Sequence, residues 1–205
     1  MRNRVWSLYF FKSPLGETAL HCPSRYSLHM AGSGELEQDI KRQVREKGLE
    51  DRFTFYGYTE PGKVRRIMEK CQIHLFTSNH LEGWGAVVNE AMNSGCAVVA
   101  SGEAGAVPFL IENGKNGLIY YKGSYEEFAG LVKGLVSDRE RMEALGKAAY
   151  DTITGMWNAE HAAEEMFRFC GEWMESGRIV PAAEGPLSEA VILSPKRADA
   201  GGKKS

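Results

Sequence analysis

Strand-like and helix-like segments alternate without a break from Ser27 to Tyr121, and this alternation leaves few folds open to the chain. Ser27 to Ala31 reads as a strand, Gly32-Ser33-Gly34 as a turn, and Glu35 to Lys47 as a helix stopped by Gly48. Phe53 to Tyr56 is a second strand, Glu60 to Lys70 a second helix, and Gln72 to Thr77 a third strand, apolar enough to be covered on both faces. Gly85 to Asn93 reads as a helix closed by Ser94-Gly95, and Cys96 to Ser101 as a continuously apolar strand. A short helix from Val107 to Glu112 and the turns Asn113-Gly114 and Asn116-Gly117 lead to a last strand, Leu118 to Tyr121. Strands separated by helices pair in parallel through crossovers. The pattern therefore predicts a Rossmann-like, doubly wound α/β fold with a parallel sheet.

The flanks are less regular. Residues 1–25 mix aromatic residues with Pro14, Gly16 and Pro23 and keep neither period, so no fold is assigned to them. Three helices are expected after the sheet, at Tyr125 to Val136, Arg139 to Ile153 and Ala159 to Glu175. The last carries Ala162, Ala163, Met166, Phe167, Phe169, Cys170 and Trp173 at helical spacing, which predicts a core-facing stripe. Beyond Gly177 the composition turns to Pro, Ala, Gly and Ser. The expected organisation is an unassigned segment 1–25, one domain over 26–176 and a disordered tail over 177–205. A chain of 205 residues holds one such domain and not two.

A net charge of -2 supplies no basic excess to neutralise a phosphate backbone, which argues against nucleic acid as a partner. Cys22, Cys71, Cys96 and Cys170 are widely spaced, with neither zinc-site spacing nor a disulfide framework, and read as reduced thiols of a cytoplasmic protein. The apolar run Val5 to Phe11 is cut short by Lys12, and no small-residue cleavage site follows. No stretch approaches the roughly 20 apolar residues of a membrane span, so any membrane association is expected to be peripheral.

Ligands of an open parallel sheet bind at the carboxyl ends of its strands. The loops there hold Gly32 and Gly34, then Glu82-Gly83-Trp84-Gly85, then Gly102 and Gly105. Glycines admit close backbone approach, and helices starting behind them aim free N–H groups at an anion. A helix starting near Gly85 offers the amides of Gly85, Ala86 and Val87 to a phosphate, with Glu82 in the loop ahead. Glu90 lies about 9 Å along the axis from Trp84, and its side chain tilts back towards the helix start. On this reading the helix end holds phosphates, Glu90 accepts hydrogen bonds from a ribose diol, and Glu82 faces the group beyond the phosphate. The same residues also suit a plainer reading: Glu82 a solvated loop acid, Glu90 a surface residue, the glycines turns. A dinucleotide fingerprint at Gly32-Ser33-Gly34 fails, because Glu37 stands where its third glycine belongs.

Two glutamates with seven residues between them, Glu82 and Glu90, in this setting resemble the signature of the retaining GT-B glycosyltransferases that carbohydrate classifiers number as family four. The resemblance runs in order along the chain. Met30-Ala-Gly-Ser-Gly-Glu35 is similar to that family's strand and glycine turn, and Asp51-Arg-Phe-Thr-Phe-Tyr-Gly57 to its second conserved segment. Cys96-Ala-Val-Val-Ala100 is similar to the strand after the motif, and Gly105-Ala-Val-Pro-Phe-Leu-Ile-Glu-Asn-Gly-Lys-Asn-Gly117 to the segment that follows. The resemblance implies a GT-B donor-binding domain that takes a nucleotide-diphosphate sugar, a hexosyltransferase-like enzyme transferring the sugar with retention. It places Glu82 on the donor sugar as the catalytic residue, the backbone of Gly83, Trp84, Gly85, Ala86 and Val87 on the diphosphate, Glu90 on the ribose, Gly32 and Gly34 at the glycine turn, and Tyr58 and Thr59 near the base through their backbone. It implies no metal and no cofactor.

The chain also departs from the family. A basic pair for the diphosphate, usual at the start of this domain, has no match before Met30, and Lys12 is the nearest candidate. Asn79-His80-Leu81 separate Thr77-Ser78 from Glu82 where the family has Pro-Ser two residues ahead, and His80 is expected to be a loop residue. Phe109 replaces a common Glu and is expected in the core. Acceptors of such enzymes bind in a separate N-terminal domain, so an acceptor-binding domain or chain is an expected partner, and the 205 residues alone are expected to be weakly active. A non-catalytic nucleotide-sugar-binding module remains an alternative.

Overall fold

A computed structural model describes residues 7–12 (backbone path), 26–78, 82–121 and 124–189. Six strands form one sheet: β1 (Ser7–Lys12), β2 (Tyr26–Ala31), β3 (Phe53–Gly57), β4 (Ile73–Phe76), β5 (Ala97–Ser101) and β6 (Leu118–Tyr120), in the order β3-β2-β1-β4-β5-β6. The helices are α1 (Glu37–Glu46), α2 (Pro61–Met68), α3 (Ala86–Asn93), α4 (Val107–Leu110), α5 (Tyr125–Ser137), α6 (Arg139–Gly155) and α7 (Ala159–Ser176). Every strand and helix expected from the sequence is present, with its ends shifted by two residues or fewer. The fold is the expected α/β architecture, and the strand order is that of a Rossmann sheet.

One strand departs from the expected parallel sheet. β2 to β3, β4 to β5 and β5 to β6 pair in parallel, whereas β1 pairs antiparallel with both β2 and β4. It thus fills the centre of the sheet the wrong way round. Ser7 stands opposite both Ala31 and Phe76, so the amino end of β1 lies at the edge where β2 and β4 present their carboxyl ends. The direction of a strand follows from how the chain enters it rather than from its composition, so the sequence pattern alone does not set it. The stretch to which the sequence assigns no fold supplies this strand.

Side chains alternate between two cores, as the period of 2 demands. Phe76, Val98 and Ala100 face a cluster with Met68 from α2, Val88, Ala91 and Met92 from α3, Leu110 from α4, and Ala149 and Ile153 from α6. Ile73, Leu75, Ala97, Val99 and Leu118 face the opposite cluster, closed by Leu135 of α5 and Met142 and Leu145 of α6. Burying each large side chain stabilises the fold by roughly 1.5–3 kcal/mol. Cys71 and Cys96 lie inside, and the Cys96 thiol donates to the backbone oxygens of Met68 and Cys71, both at 3.4 Å. Burial pushes the Cys71 thiol up to about 12, so it is an unreactive protonated group.

The expected core-facing stripe of α7 is not found. None of its residues is buried; Phe167 is 81% and Met174 79% exposed. α7 lies beyond the last strand, and the described residues offer no second layer to cover it. Residues 177–189, assigned to the tail, carry a turn in which Ala182 bridges Ser188, and Gly185 sits against Met156. No helix among the described residues is long and apolar enough to cross a membrane.

Candidate functional site

The loops after β2, β3, β4 and β5 are tied in pairs at the carboxyl edge. Gly32, at φ 130°, donates its amide to the Gly57 carbonyl at 2.8 Å, joining the glycine turn to the loop that holds Tyr58. Tyr58 is 76% exposed, and Thr59 Oγ1 donates back to the Gly57 carbonyl at 3.1 Å. Gly34 gives its carbonyl to the Glu37 amide, 3.1 Å, at the start of α1. On the other side of β1, Gly105 donates to the Gly83 carbonyl at 3.1 Å and Ala106 to the Trp84 carbonyl at 2.7 Å. These two bonds fix the Glu82–Gly85 loop against the loop after β5. With one strand between β2 and β4, the two pairs of loops face each other across about 10 Å.

Glycine is required at two places in the second pair. Gly85 precedes α3 at φ 82°, and a Cβ there would stand 2.8 Å from Phe76 Cζ, which is fully buried beneath it. A Cβ on Gly105 would come within 2.1 Å of the Gly83 carbonyl oxygen. Both clashes guard the same object, the path of the backbone into α3.

The helix start is bare. The C-terminal helices have side-chain caps: Ser124 Oγ accepts from the Glu127 amide, Asp138 Oδ1 from Arg141, and Asn158 Oδ1 from His161. α3 has Gly85 at that position and no side-chain cap, and no acidic residue stands in its first turn. The Val88 amide bonds the Gly85 carbonyl at 2.9 Å, so the amides of Ala86 and Val87 precede the first intrahelical bond. The positive end of the helix dipole points the same way. Such an end can hold a phosphate or carboxylate.

The carboxylates flank this end. Glu82 is half-buried, and its Cγ would lie 3.5 Å from a Cβ at Gly85, so its side chain lies beside the entry to the helix. Glu90 is exposed on α3, four residues or about 6 Å along the axis from Ala86. Gly83 is exposed and Gly85 buried. Trp84, 42% exposed, leans on Phe109 (5.8 Å between ring centres) and Trp157 (6.2 Å), and its Nε1 donates to Asn89 Oδ1 at 2.8 Å. Phe109, expected in the core, is instead half-buried and packs against this loop through Trp84. Trp157, a partner for Trp84 from the α6–α7 junction, gave no signal in the sequence, because nothing local marks a contact across 73 positions. Lys12 lies in β1, of which only the backbone path is described, and His80 lies outside the described residues. No group of three or more His, Cys, Asp or Glu suited to a metal ion occurs among the described residues.

Together the sheet and loops define an open α/β domain whose glycine loops and bare helix end gather at the carboxyl edge, where such sheets take their ligands. The chain belongs to the family described as "Glycosyl transferases group 1", whose profile matches residues 22–152. It is 25% identical over 149 residues to a GDP-mannose-dependent alpha-(1-6)-phosphatidylinositol monomannoside mannosyltransferase of Mycobacterium tuberculosis, covering 70% of this chain and 38% of that one. Among solved structures it is similar to HepE of Anabaena in complex with UDP (TM-score 0.59, 25% identity, 69% of this chain and 40% of that one). It is also similar to the C-terminal domain of LpcC from Francisella tularensis (TM-score 0.56, 27% identity, 61% and 64%). The chain spans about two-fifths of the length of the curated relatives it first matches. These neighbours have the GT-B fold.

Proposed function

We propose that this chain is the donor-binding half of a retaining glycosyltransferase, taking a nucleotide-diphosphate sugar at the carboxyl edge of its sheet. The observation that carries this is the uncapped start of α3, with Glu82 beside it and Glu90 one turn along. The amides of Ala86 and Val87 hold the diphosphate, Glu90 accepts from the ribose hydroxyls, and Glu82 contacts the sugar hydroxyls. The base lies towards Gly57–Thr59, across the gap spanned by β1. The similarity to a structure solved with UDP and to a mannosyltransferase named for GDP-mannose supports a nucleotide-diphosphate sugar as the ligand class.

The dipole of α3 adds to the attraction of its free amides for the diphosphate. A second wall is needed to enclose the reaction, since orientation and exclusion of water provide much of a transferase's acceleration. That wall is a further domain or a separate chain that binds the acceptor. The exposed apolar residues of α7, Phe167, Trp173 and Met174, favour such docking.

Calorimetric titration with UDP, GDP and ADP tests the reading. One nucleotide is expected to bind, and Glu90→Ala to weaken it by about tenfold or more, the worth of at least one charge-assisted hydrogen bond. Equal affinity in the variant removes Glu90 from the site.

A further inference from the structure

A second concave site lies on the flank of the sheet, away from the loop 82–85. It is a groove of about 340 Å3 between α2 and the outer strands β2 and β3, floored by His29, Tyr56, Ile67 and Cys71 and rimmed by Lys63, Arg66 and Lys70. Its volume is that of a small-molecule site.

The rim is built from α2 and the turn that ends it. Lys63 and Arg66 stand three residues apart on one face of α2, and Lys70 follows in the turn that closes the helix, where its amide bonds the Ile67 carbonyl at 3.1 Å. Residues 61–70 carry four cations and one carboxylate. That carboxylate, Glu69, pairs with Arg65 at 3.1 Å. Lys63, Arg66 and Lys70 make no ion pair with a described residue. Lys63 Nζ stands 5.6 Å from the centre of the Tyr56 ring, which draws the ammonium over the groove.

The floor presents the opposite character. Tyr56 Oη and His29 Nδ1 are 2.8 Å apart, and His29 Nε2 lies 3.0 Å from Ser27 Oγ, so their polar atoms are turned to one another. The two rings stack with centres 5.8 Å apart. Burial lowers the pKa of His29 and raises those of Tyr56 and Cys71, which keeps the floor uncharged near neutrality. Three cations that pair with no acidic group among the described residues, beside an uncharged apolar floor, call for a ligand with an anionic head and an apolar body. With a net charge of -2 the protein as a whole does not attract polyanions, so the recognition is local. A tetrahedral phosphate, with several oxygens to share among an Arg fork and two ammonium groups, suits three donors better than a single carboxylate.

We propose that the α2 groove binds a phosphate-bearing amphiphile, its phosphate held by Lys63, Arg66 and Lys70 and its apolar body laid on Tyr56, Ile67 and the His29 ring. The groove lies on the α2 side of β3 and its lining includes none of the donor-loop residues, although Tyr56 directly precedes Gly57; nucleotide affinity serves as its control.

The test is titration of the full chain with dihexanoyl phosphatidic acid as monomers and with inorganic phosphate, repeated on K63Q/R66Q/K70Q. All three side chains are exposed, so the variant keeps the fold, which its thermal melt and its unchanged UDP titration check. The lipid is expected to bind at least about tenfold tighter than inorganic phosphate through its apolar body, and the triple variant to lose about tenfold or more. No lipid binding, equal affinity for inorganic phosphate, or equal affinity in the variant overturns the proposal. Vesicles of phosphatidylcholine doped with phosphatidic acid distinguish the sources. Co-sedimentation that the triple variant loses assigns a membrane phospholipid, whereas monomer binding without co-sedimentation assigns a soluble phosphate ester.

Discussion

α3 and α7 are both helices rich in apolar residues, yet one is sealed into the protein and the other lies open. Val88, Ala91 and Met92 of α3 are fully buried between the sheet, α2 and α6, while α7, more than twice as long, has no fully buried residue. An apolar stripe tells that a helix has a face to cover; it does not tell what covers it. For α3 the cover is in the same chain. For α7 the described residues supply none, which is what the proposed second wall of a transferase would provide.

Truncating the same residue type on each helix sharpens that contrast. Met92→Ala opens a cavity in a fully buried site and is expected to cost about 2–5 kcal/mol in denaturant unfolding. At the other extreme, Met174→Ala removes a side chain that is 79% exposed and is expected to stay within roughly 0.5 kcal/mol of the parent. A large loss at Met174 would mean that α7 is already covered in the isolated chain.

Between these lies the loop in front of α3. Gly105→Ala forces a Cβ against the Gly83 carbonyl and is expected to cost roughly 1–3 kcal/mol and to weaken nucleotide binding. Unchanged binding in that variant would free the loop from its assigned role. Next is a pH effect seated on the central strand. His74 is fully buried, and desolvation pushes its pKa down from 6.5 to about 3. The unfolded chain therefore takes up a proton that the folded chain refuses. Stability is full above about 6.5 and falls as the pH drops towards about 3, by roughly 1.4 kcal/mol per pH unit from this group. Denaturant titrations between these limits, compared with His74→Leu, check the slope; an identical slope in the variant would assign the acid sensitivity elsewhere.

The sequence showed the elements of the sheet because each carried its own period: the apolar run Ile73–Phe76 and the glycine stops at Gly48 and Gly95 are local signals. The glutamate pair and its glycines were legible for the same reason, as spacing alone puts Glu82 ahead of a helix and Glu90 on it. The reversed β1 was not, because Ser7–Lys12 has no alternation and strand direction is set by connection rather than by composition. The aromatic support of Trp84 by Trp157 and the α2 groove were hidden too, since both join residues distant in sequence. The α7 stripe was read correctly as apolar and wrongly as buried.

The most direct measurement of the central claim is an amide-resolved NMR titration of the chain with the nucleoside diphosphate it prefers. The largest shifts are expected on Gly85, Ala86 and Val87, with smaller ones at Gly57–Thr59 and none along Lys63–Lys70. Shifts confined to α2, or absent from the start of α3, would contradict that claim.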